Sequence, residues 1–183
     1  MRTRRVVVAA TAVAAGAVTG ALAGLAANAA DGPPPPPELT SPQGLARFVE
    51  DYRAEFGDTL VDDVTLFPEH ASFDRAVADE PHRYLSYTFD GEFSSWNSPH
   101  TRPSDAVAFD LAGLDLVAVS QVILGAPATL RVPDGRVEQV GFDVDDAGRA
   151  TVAVHARRPG TDQGGHLVLA FDGTPIAVFP YEP

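Results

Sequence analysis

One pattern occurs twice in this sequence, and it constrains the fold more than any other feature. Residues 61–67 resemble residues 137–143, and residues 84–91 resemble residues 166–173. A candidate helix precedes residues 61–67 and another precedes residues 137–143. The segments 84–91 and 166–173 both end on Asp-Gly. A pattern repeated at this spacing indicates that one supersecondary unit is used twice. The sequence therefore predicts the order helix, strand, strand and Asp-Gly hairpin in two copies.

Two helices are predicted from their end signals. Ser41 can cap the first helix, Pro42 suits its first turn, and Gly57 suits its end. The second helix starts near Asp110 or Asp115, has the apolar run 116–124 as its body, and is predicted to end at Gly-Ala-Pro, residues 125–127. Because this helix is more apolar than the first, we expect it to be buried more deeply.

Strand signals follow each helix. Apolar residues alternate with polar ones after both helices, and the Asp-Gly pairs at 90–91 and 172–173 predict hairpins. The predicted fold is therefore α+β, an antiparallel sheet with two helices packed on one face. We expect a single domain over residues 41–183, made of two repeats at about 41–100 and 108–183.

The alternation assigns the strand side chains to two faces of the sheet. We expect Leu85, Tyr87 and Phe89 to face the helices, together with their counterparts in the second repeat. The opposite face then carries mostly small or semi-polar residues and few carboxylates: Tyr84, Ser86, Thr88, Thr151, Ala153, His155, Arg157, His166 and Val168.

That second face has two interpretations. An antiparallel sheet commonly leaves one face in water, which is the simpler one. Alternatively, a low-charge face with Tyr, His and Arg is typical of the core of an interface. The candidate binding residues on this view are Tyr84, His155, Arg157 and His166, joined by Trp96 from the loop 94–104. Trp96 either packs under the connection or serves as an exposed anchor for a partner.

The chain begins with a segment typical of export. Three arginines within residues 2–5 precede an uncharged run rich in Ala, Val and Gly that extends to residue 30. We expect residues 1–30 to be an export signal, or an uncleaved membrane anchor, because about 20 apolar residues already span a bilayer. Residues 31–40 contain five consecutive prolines and are predicted to form a stiff spacer. We therefore expect an exported, extracellular or envelope-associated protein.

The composition excludes several classes of function. The chain carries 25 acidic residues, 13 basic residues and a net charge of −12, so nucleic acid should be repelled. It has no cysteine, which excludes disulfides, thiol nucleophiles and cysteine metal sites. Contact with a membrane is expected only through an uncleaved N-terminal segment.

No catalytic motif is present, and we expect neither enzyme activity nor a cofactor. There is no Gly-x-Ser-x-Gly elbow, phosphate-binding loop or His-Glu-x-x-His helix. Residues 69–82 are predicted to lie in a long loop of the first unit. Its His70 and His82, each with nearby carboxylates, form the weaker alternative of a hydrolase, but no nucleophile accompanies them. His155 and His166 can face each other across a hairpin, although two histidines alone rarely hold zinc.

Four short motifs carry a resemblance to known proteins. Residues 66–71, 109–111, 125–127 and the closing Leu-x-Leu-x-Phe-Asp-Gly hairpin are similar to uncharacterised exported proteins of actinobacteria. The tandem layout over roughly residues 41–181 resembles PepSY-like and β-lactamase-inhibitor-protein-like folds. The resemblance implies a binding or inhibitory module. The first hypothesis is an envelope protein that binds a protein or envelope ligand, and the second is an inhibitor or regulator of a secreted hydrolase.

Overall fold

The computed structural model describes residues 35–95 and 98–183, of which residues 35–183 cluster as one compact unit. The predicted export segment, the first four residues of the proline-rich spacer (31–34) and Trp96 lie outside the described residues. No helix within the described ranges is both long enough and apolar enough to cross a membrane.

The first helix, α1, spans Pro42–Phe56 and has the predicted ends. The Ser41 side chain accepts a hydrogen bond from the Gly44 N–H at 3.1 Å. Gly57 ends the helix in the left-handed region, with φ of 75°, and its N–H donates to the Arg53 carbonyl. An apolar stripe of α1 faces the core, because Phe48 and its neighbours at helical spacing are buried. The prediction of α1 is confirmed.

The second helix, α2, spans Leu116–Thr129 and corrects two predictions. Asp115 caps it, accepting from the backbone N–H groups of residues 117 and 118. The predicted end at residues 125–127 is wrong, because the helix continues to Thr129. In the last turn proline removes only one backbone donor, and buried Leu130 anchors the chain beyond it. The prediction of deeper burial is also wrong, because Val117 and Leu124 are 70% and 72% exposed.

Eleven strands are described. They are β1 (Leu60–Val61), β2 (Asp63–Leu66), β3 (Ala71–Val77), β4 (Glu80–Phe89), β5 (Phe93–Ser95), β6 (His100–Thr101), β7 (Phe109–Asp110), β8 (Arg136–Val144), β9 (Ala150–Arg157), β10 (Gly164–Ala170) and β11 (Pro175–Phe179). Strands β1 and β7 form a two-stranded ribbon, and a short 3₁₀ helix follows at Leu111–Gly113. The remaining nine form one antiparallel sheet in the order β11-β10-β9-β8-β2-β3-β4-β5, with β6 also paired to β4.

The sheet consists of two meanders that meet in its middle. Strands β2 to β5 follow α1, strands β8 to β11 follow α2, and β2 pairs with β8. Val64 lies opposite Phe142, and Leu66 lies opposite Val140. Helix α2 contacts β8, β9 and β10, and the buried side chains of both helices and the sheet form one core. The α+β prediction is confirmed, whereas the equivalence of the two units as repeats stays a prediction.

Strand β3 was not predicted, since residues 69–82 were expected to form a long loop. Its inward-facing positions begin with buried Ala71 and Phe73 but continue with Arg75, which interrupts the apolar alternation. The Arg75 guanidinium lies 4.8 Å from the centre of the Phe56 ring and pairs with Asp58 at 2.7 Å. Because a charged residue occupies an inward position at the edge of the core, the apolar alternation that predicts a strand is interrupted in β3.

Candidate functional site: the open face of the sheet

We define the open face as the side of the nine-stranded sheet that points away from the buried core. On β2, β3, β8, β9 and β10 the buried residues alternate with the residues of this face, and the pairing of β4 with β3 assigns the residues of β4. Its members on the central strands are Asp63, Thr65, Ser72, Asp74, Tyr84, Ser86, Thr88, Gly141, Asp143, Thr151, Ala153, His155, Arg157, His166 and Val168. The predicted assignment of strand residues to this face is confirmed.

The prediction that this face carries few carboxylates is wrong. Asp63 on β2 lies directly opposite Asp74 on β3, and Asp143 lies on the other neighbour, β8. Three carboxylates thus follow one another across adjacent strands. The sequence concealed them because Asp74 belongs to the unpredicted strand, and because the pairing of β2 with β8 joins distant parts of the chain.

These carboxylates border a concavity of about 630 Å³, which we call the acidic groove. Its floor crosses β8, β2, β3 and β4, and residues of the loop 103–107 form one wall. Its lining residues are Asp62, Asp63, Asp74, Tyr84, Pro103, Asp105, Ala106, Val107, Asp143, Val144, Asp145, Asp146 and Gly148. The groove thus combines several carboxylates with one aromatic ring and four apolar side chains.

Two carboxylates of the acidic groove are neutralised within the protein. Arg102 makes two hydrogen bonds of 2.7 Å to Asp62, and Arg149 pairs with Asp145 at 2.7 Å. Across the described ranges, no such ion pair reaches Asp63, Asp74 or Asp143. The middle of the groove therefore keeps an uncompensated negative charge.

Asp63, in the middle of the groove, has a raised pKa. Part of its side chain is open to solvent. The loss of water around its carboxylate, which disfavours the ionised form, is nevertheless the main cause of the raised pKa. The negative charges of Asp74 and Asp143 act in the same direction, and the pKa of Asp63 rises to about 6. The backbone N–H of Asp74 opposes the shift by donating to the Asp63 carboxylate.

The other end of the open face carries a stack of three rings, which we call the aromatic ladder. His155 on β9 and His166 on β10 are directly paired, with ring centres 5.1 Å apart and planes within 17°. Phe179 on β11 stacks on the other side of His166 at 4.4 Å and 21°. Burial lowers the pKa of His155, and the neighbouring His166 and Arg157 lower it further. The lowered pKa favours the uncharged form of His155.

The structure separates the predicted binding residues into two groups. His155, His166 and Arg157 line one concavity of about 330 Å³, where Arg157 also pairs with Glu138 at 3.3 Å. Tyr84 lies four strands from β9, at least about 19 Å away at a strand spacing of about 4.8 Å, and lines the acidic groove. Trp96 lies outside the described residues. The predicted binding residues therefore lie in two separate concavities of one face, and sequence reasoning missed the carboxylates beside Tyr84.

The histidines of the hydrolase alternative do not converge. His70 lies just before β3 and stacks on Phe67 at 4.7 Å, whereas His82 is exposed on β4 near the far end of β3. Six residues of extended strand separate these ends by about 20 Å. His70 lines a concavity of about 390 Å³ with Glu38, Glu69 and Glu138, and none of its described lining residues is a serine, threonine or cysteine.

The described residues contain no group of three or more His, Asp or Glu side chains placed to hold a metal ion. His155 and His166 are stacked with nearly parallel rings, so their nitrogens do not converge on one point. The carboxylates of the acidic groove are distributed over several strands and turns rather than gathered around one centre.

Comparison with known proteins adds two relatives. The chain is similar to uncharacterized protein MT0054 of Mycobacterium tuberculosis strain CDC 1551 / Oshkosh, with 32% identity over 144 residues. It is also similar to uncharacterized protein Rv0048c of strain H37Rv, with 31% identity over 144 residues. Both alignments cover 76% of this chain and 50% of the relative, so the chain spans about half the length of the curated relatives it matches. No family model and no solved structure matches the chain.

Proposed function

We propose that this protein is an exported, non-enzymatic binding module of the cell envelope, and that its open face docks a protein or envelope ligand. The observation that supports this most directly is the contrast between the two faces of the sheet. One face is sealed by the helices and an aromatic core, whereas the other presents the aromatic ladder and the acidic groove without a covering layer among the described elements.

The composition of the aromatic ladder supports docking rather than simple exposure. Phe179 is 52% exposed, and stacked rings at a sheet surface offer apolar area at little cost in side-chain entropy. Arg157 extends the ladder with a planar donor group, and aromatic residues and arginine are enriched at interface cores. The described side chains between the acidic groove and the aromatic ladder are small, so a partner can approach the backbone closely.

Export is proposed from the N-terminal sequence. The arginines within residues 2–5, the uncharged run to residue 30 and the proline-rich spacer are typical of a protein held outside the cytoplasm. The likeness to PepSY-like and β-lactamase-inhibitor-protein-like folds is also a proposal. It is supported by the order of elements, in which a helix followed by a meander occurs twice. Inhibition or regulation of a secreted hydrolase is the alternative outcome of docking through this face.

A partner capture tests the proposal. The full chain serves as bait for an envelope extract, beside a variant that carries Tyr84→Ala and His155→Ala. A matched control carries Val117→Ala and Leu124→Ala, which remove exposed side chains from α2 on the other side of the sheet. We expect a protein to be retained by the wild type and the control but lost by the open-face variant.

Equal retention by all three baits would contradict the assignment of the face. A hydrolase among the retained proteins would favour the inhibitor alternative, and its rate of turnover with and without bound protein would then decide between inhibition and docking alone.

A further inference from the structure

We propose that the acidic groove of the open face binds an extended, cationic segment of a protein partner, laid across β8, β2, β3 and β4. This inference rests on the proposed docking function and names the chemistry of the partner. It commits to a segment rich in arginine or lysine, rather than to an apolar or acidic one.

Charge complementarity is the first argument. The arginines nearest the groove are already engaged, since Arg102 holds Asp62 and Arg149 holds Asp145. Asp63, Asp74 and Asp143 therefore face solvent without an ion-pair partner among the described residues. A cationic group of a partner would neutralise these carboxylates, which no arginine among the described residues does. A concavity lined by charges of one sign also speeds the encounter with an oppositely charged partner.

The shape of the groove is the second argument. Its floor crosses four adjacent strands, a distance of about 14 Å at a spacing of about 4.8 Å, and the loop 103–107 forms a wall. An extended peptide advances about 3.3 Å per residue, so about four residues match this span. Beside the groove the open face carries the small residues Thr65, Ser72 and Gly141, which lets an extended backbone lie close to the sheet.

Tyr84 is the third argument, because it adds an aromatic ring to one end of the row of carboxylates. It lines the groove on β4 and lies 5.7 Å from the ring of His100. A guanidinium or ammonium group over a tyrosine face is attracted by the ring quadrupole. Val107 and Pro103 in the wall suit the aliphatic part of an arginine or lysine side chain. The groove thus offers both charge and apolar contact to one type of side chain.

A fluorescent nine-residue peptide that alternates arginine with serine is the probe. Its neutral isostere has citrulline in place of each arginine, and binding to the full chain is followed by fluorescence anisotropy at low ionic strength. The test variant carries Asp74→Asn and Asp143→Asn. The matched control carries Glu50→Gln and Glu55→Gln, which remove the same charge from exposed positions on α1.

The inference predicts saturable binding of the arginine peptide. The groove variant should weaken this binding about tenfold, as expected for the loss of two charge contacts of roughly 0.7 kcal/mol each. The α1 control should change it less than about twofold. Tyr84→Ala should also weaken it, and the citrulline peptide should not bind. Equal losses in the groove variant and the α1 control would overturn the inference, because attraction would then follow net charge alone. Tight binding of Ca²⁺ or spermidine that is lost in the same variant, without binding of the peptide, would also overturn it.

The result is separable from the proposed function. If an envelope protein is captured through the open face while the arginine peptide fails to bind, the docking function stands and its cationic chemistry fails. If the peptide binds in the groove while Tyr84→Ala with His155→Ala leaves the capture of envelope protein unchanged, the groove binds cations but the broader assignment of the face to that partner fails.

Discussion

Replacing Arg75 with alanine is expected to destabilise the fold by about 3 kcal/mol. The side chain of Arg75 is only 15% exposed and joins α1, the loop after it and β3. Its guanidinium donates to both carboxylate oxygens of Asp58 at 2.7 Å, to the Tyr52 hydroxyl at 3.0 Å and to the Leu60 carbonyl at 2.8 Å. It also lies over the Phe56 ring.

The magnitude follows from the separate contacts. The paired Asp58 is 43% exposed, so the ion pair contributes only about 1 kcal/mol. The cation–π contact adds about 0.5–1 kcal/mol. The rest comes from the bonds to the tyrosine and the carbonyl and from the buried stem of the side chain. Tyr52 keeps its 2.6 Å bond to the Leu60 carbonyl, which limits the loss.

Urea denaturation followed by circular dichroism measures this effect. Asp58→Asn removes the charge attraction and one of the two hydrogen bonds from Arg75, because an amide nitrogen cannot accept one, and should cost about 1 kcal/mol. Arg75 lowers the pKa of Asp58, so this contribution is present above the usual aspartate pKa and is lost as the pH falls through the lowered value. Arg47→Ala, which breaks an exposed pair within α1, is the control and should cost less than about 0.5 kcal/mol. If Arg75→Ala proves as mild as Arg47→Ala, the reasoning is refuted.

Further predictions concern the groove and the helices. Asp63→Asn should stabilise the protein by about 1 kcal/mol at pH 8, after allowance for the exposed part of the side chain, because the raised pKa means that ionised Asp63 opposes folding. This gain in stability should shrink as the pH falls through 6 and vanish below about 4. Urea titrations at several pH values measure it, and a gain that does not change with pH would contradict the prediction. Ser41→Ala should cost about 1 kcal/mol through loss of the α1 cap, and thermal melting measures this. Buried Ile123→Ala should cost about 3 kcal/mol, whereas exposed Leu124→Ala should stay within about 0.5 kcal/mol; equal costs in urea denaturation would contradict the observed orientation of α2.

The parts of the fold that could be predicted from the sequence are those set by local chemistry. The caps at Ser41 and Asp115 need only neighbouring backbone groups, and the turns at 90–91 and 172–173 need only Asp-Gly. Alternation also assigned the strand side chains to the correct faces. Each of these signals lies within a few residues of the structure it determines.

The parts that were missed depend on contacts between distant segments. Arg75 occupies an inward position only because its guanidinium pairs with Asp58 and donates a hydrogen bond to Tyr52. No periodic pattern in the sequence shows these contacts. The acidic groove exists because pairing brings together Asp63, Asp74 and Asp143 from three strands. The separation of Tyr84 from the histidines likewise follows from strand order, which a list of exposed residues does not contain.

The central claim, that the open face is the docking surface, is tested most directly by blocking that face. Ala153 lies on β9 between Gly141 and Val168, within the open face, and Ala153→Trp places a bulky ring there. The same change at exposed Ala46 on α1, Ala46→Trp, is the matched control. The quantity to measure is the affinity of each full-length variant for the captured envelope protein. The account predicts a loss of at least about tenfold for the open-face variant and none for the control. Unchanged affinity in Ala153→Trp would contradict it.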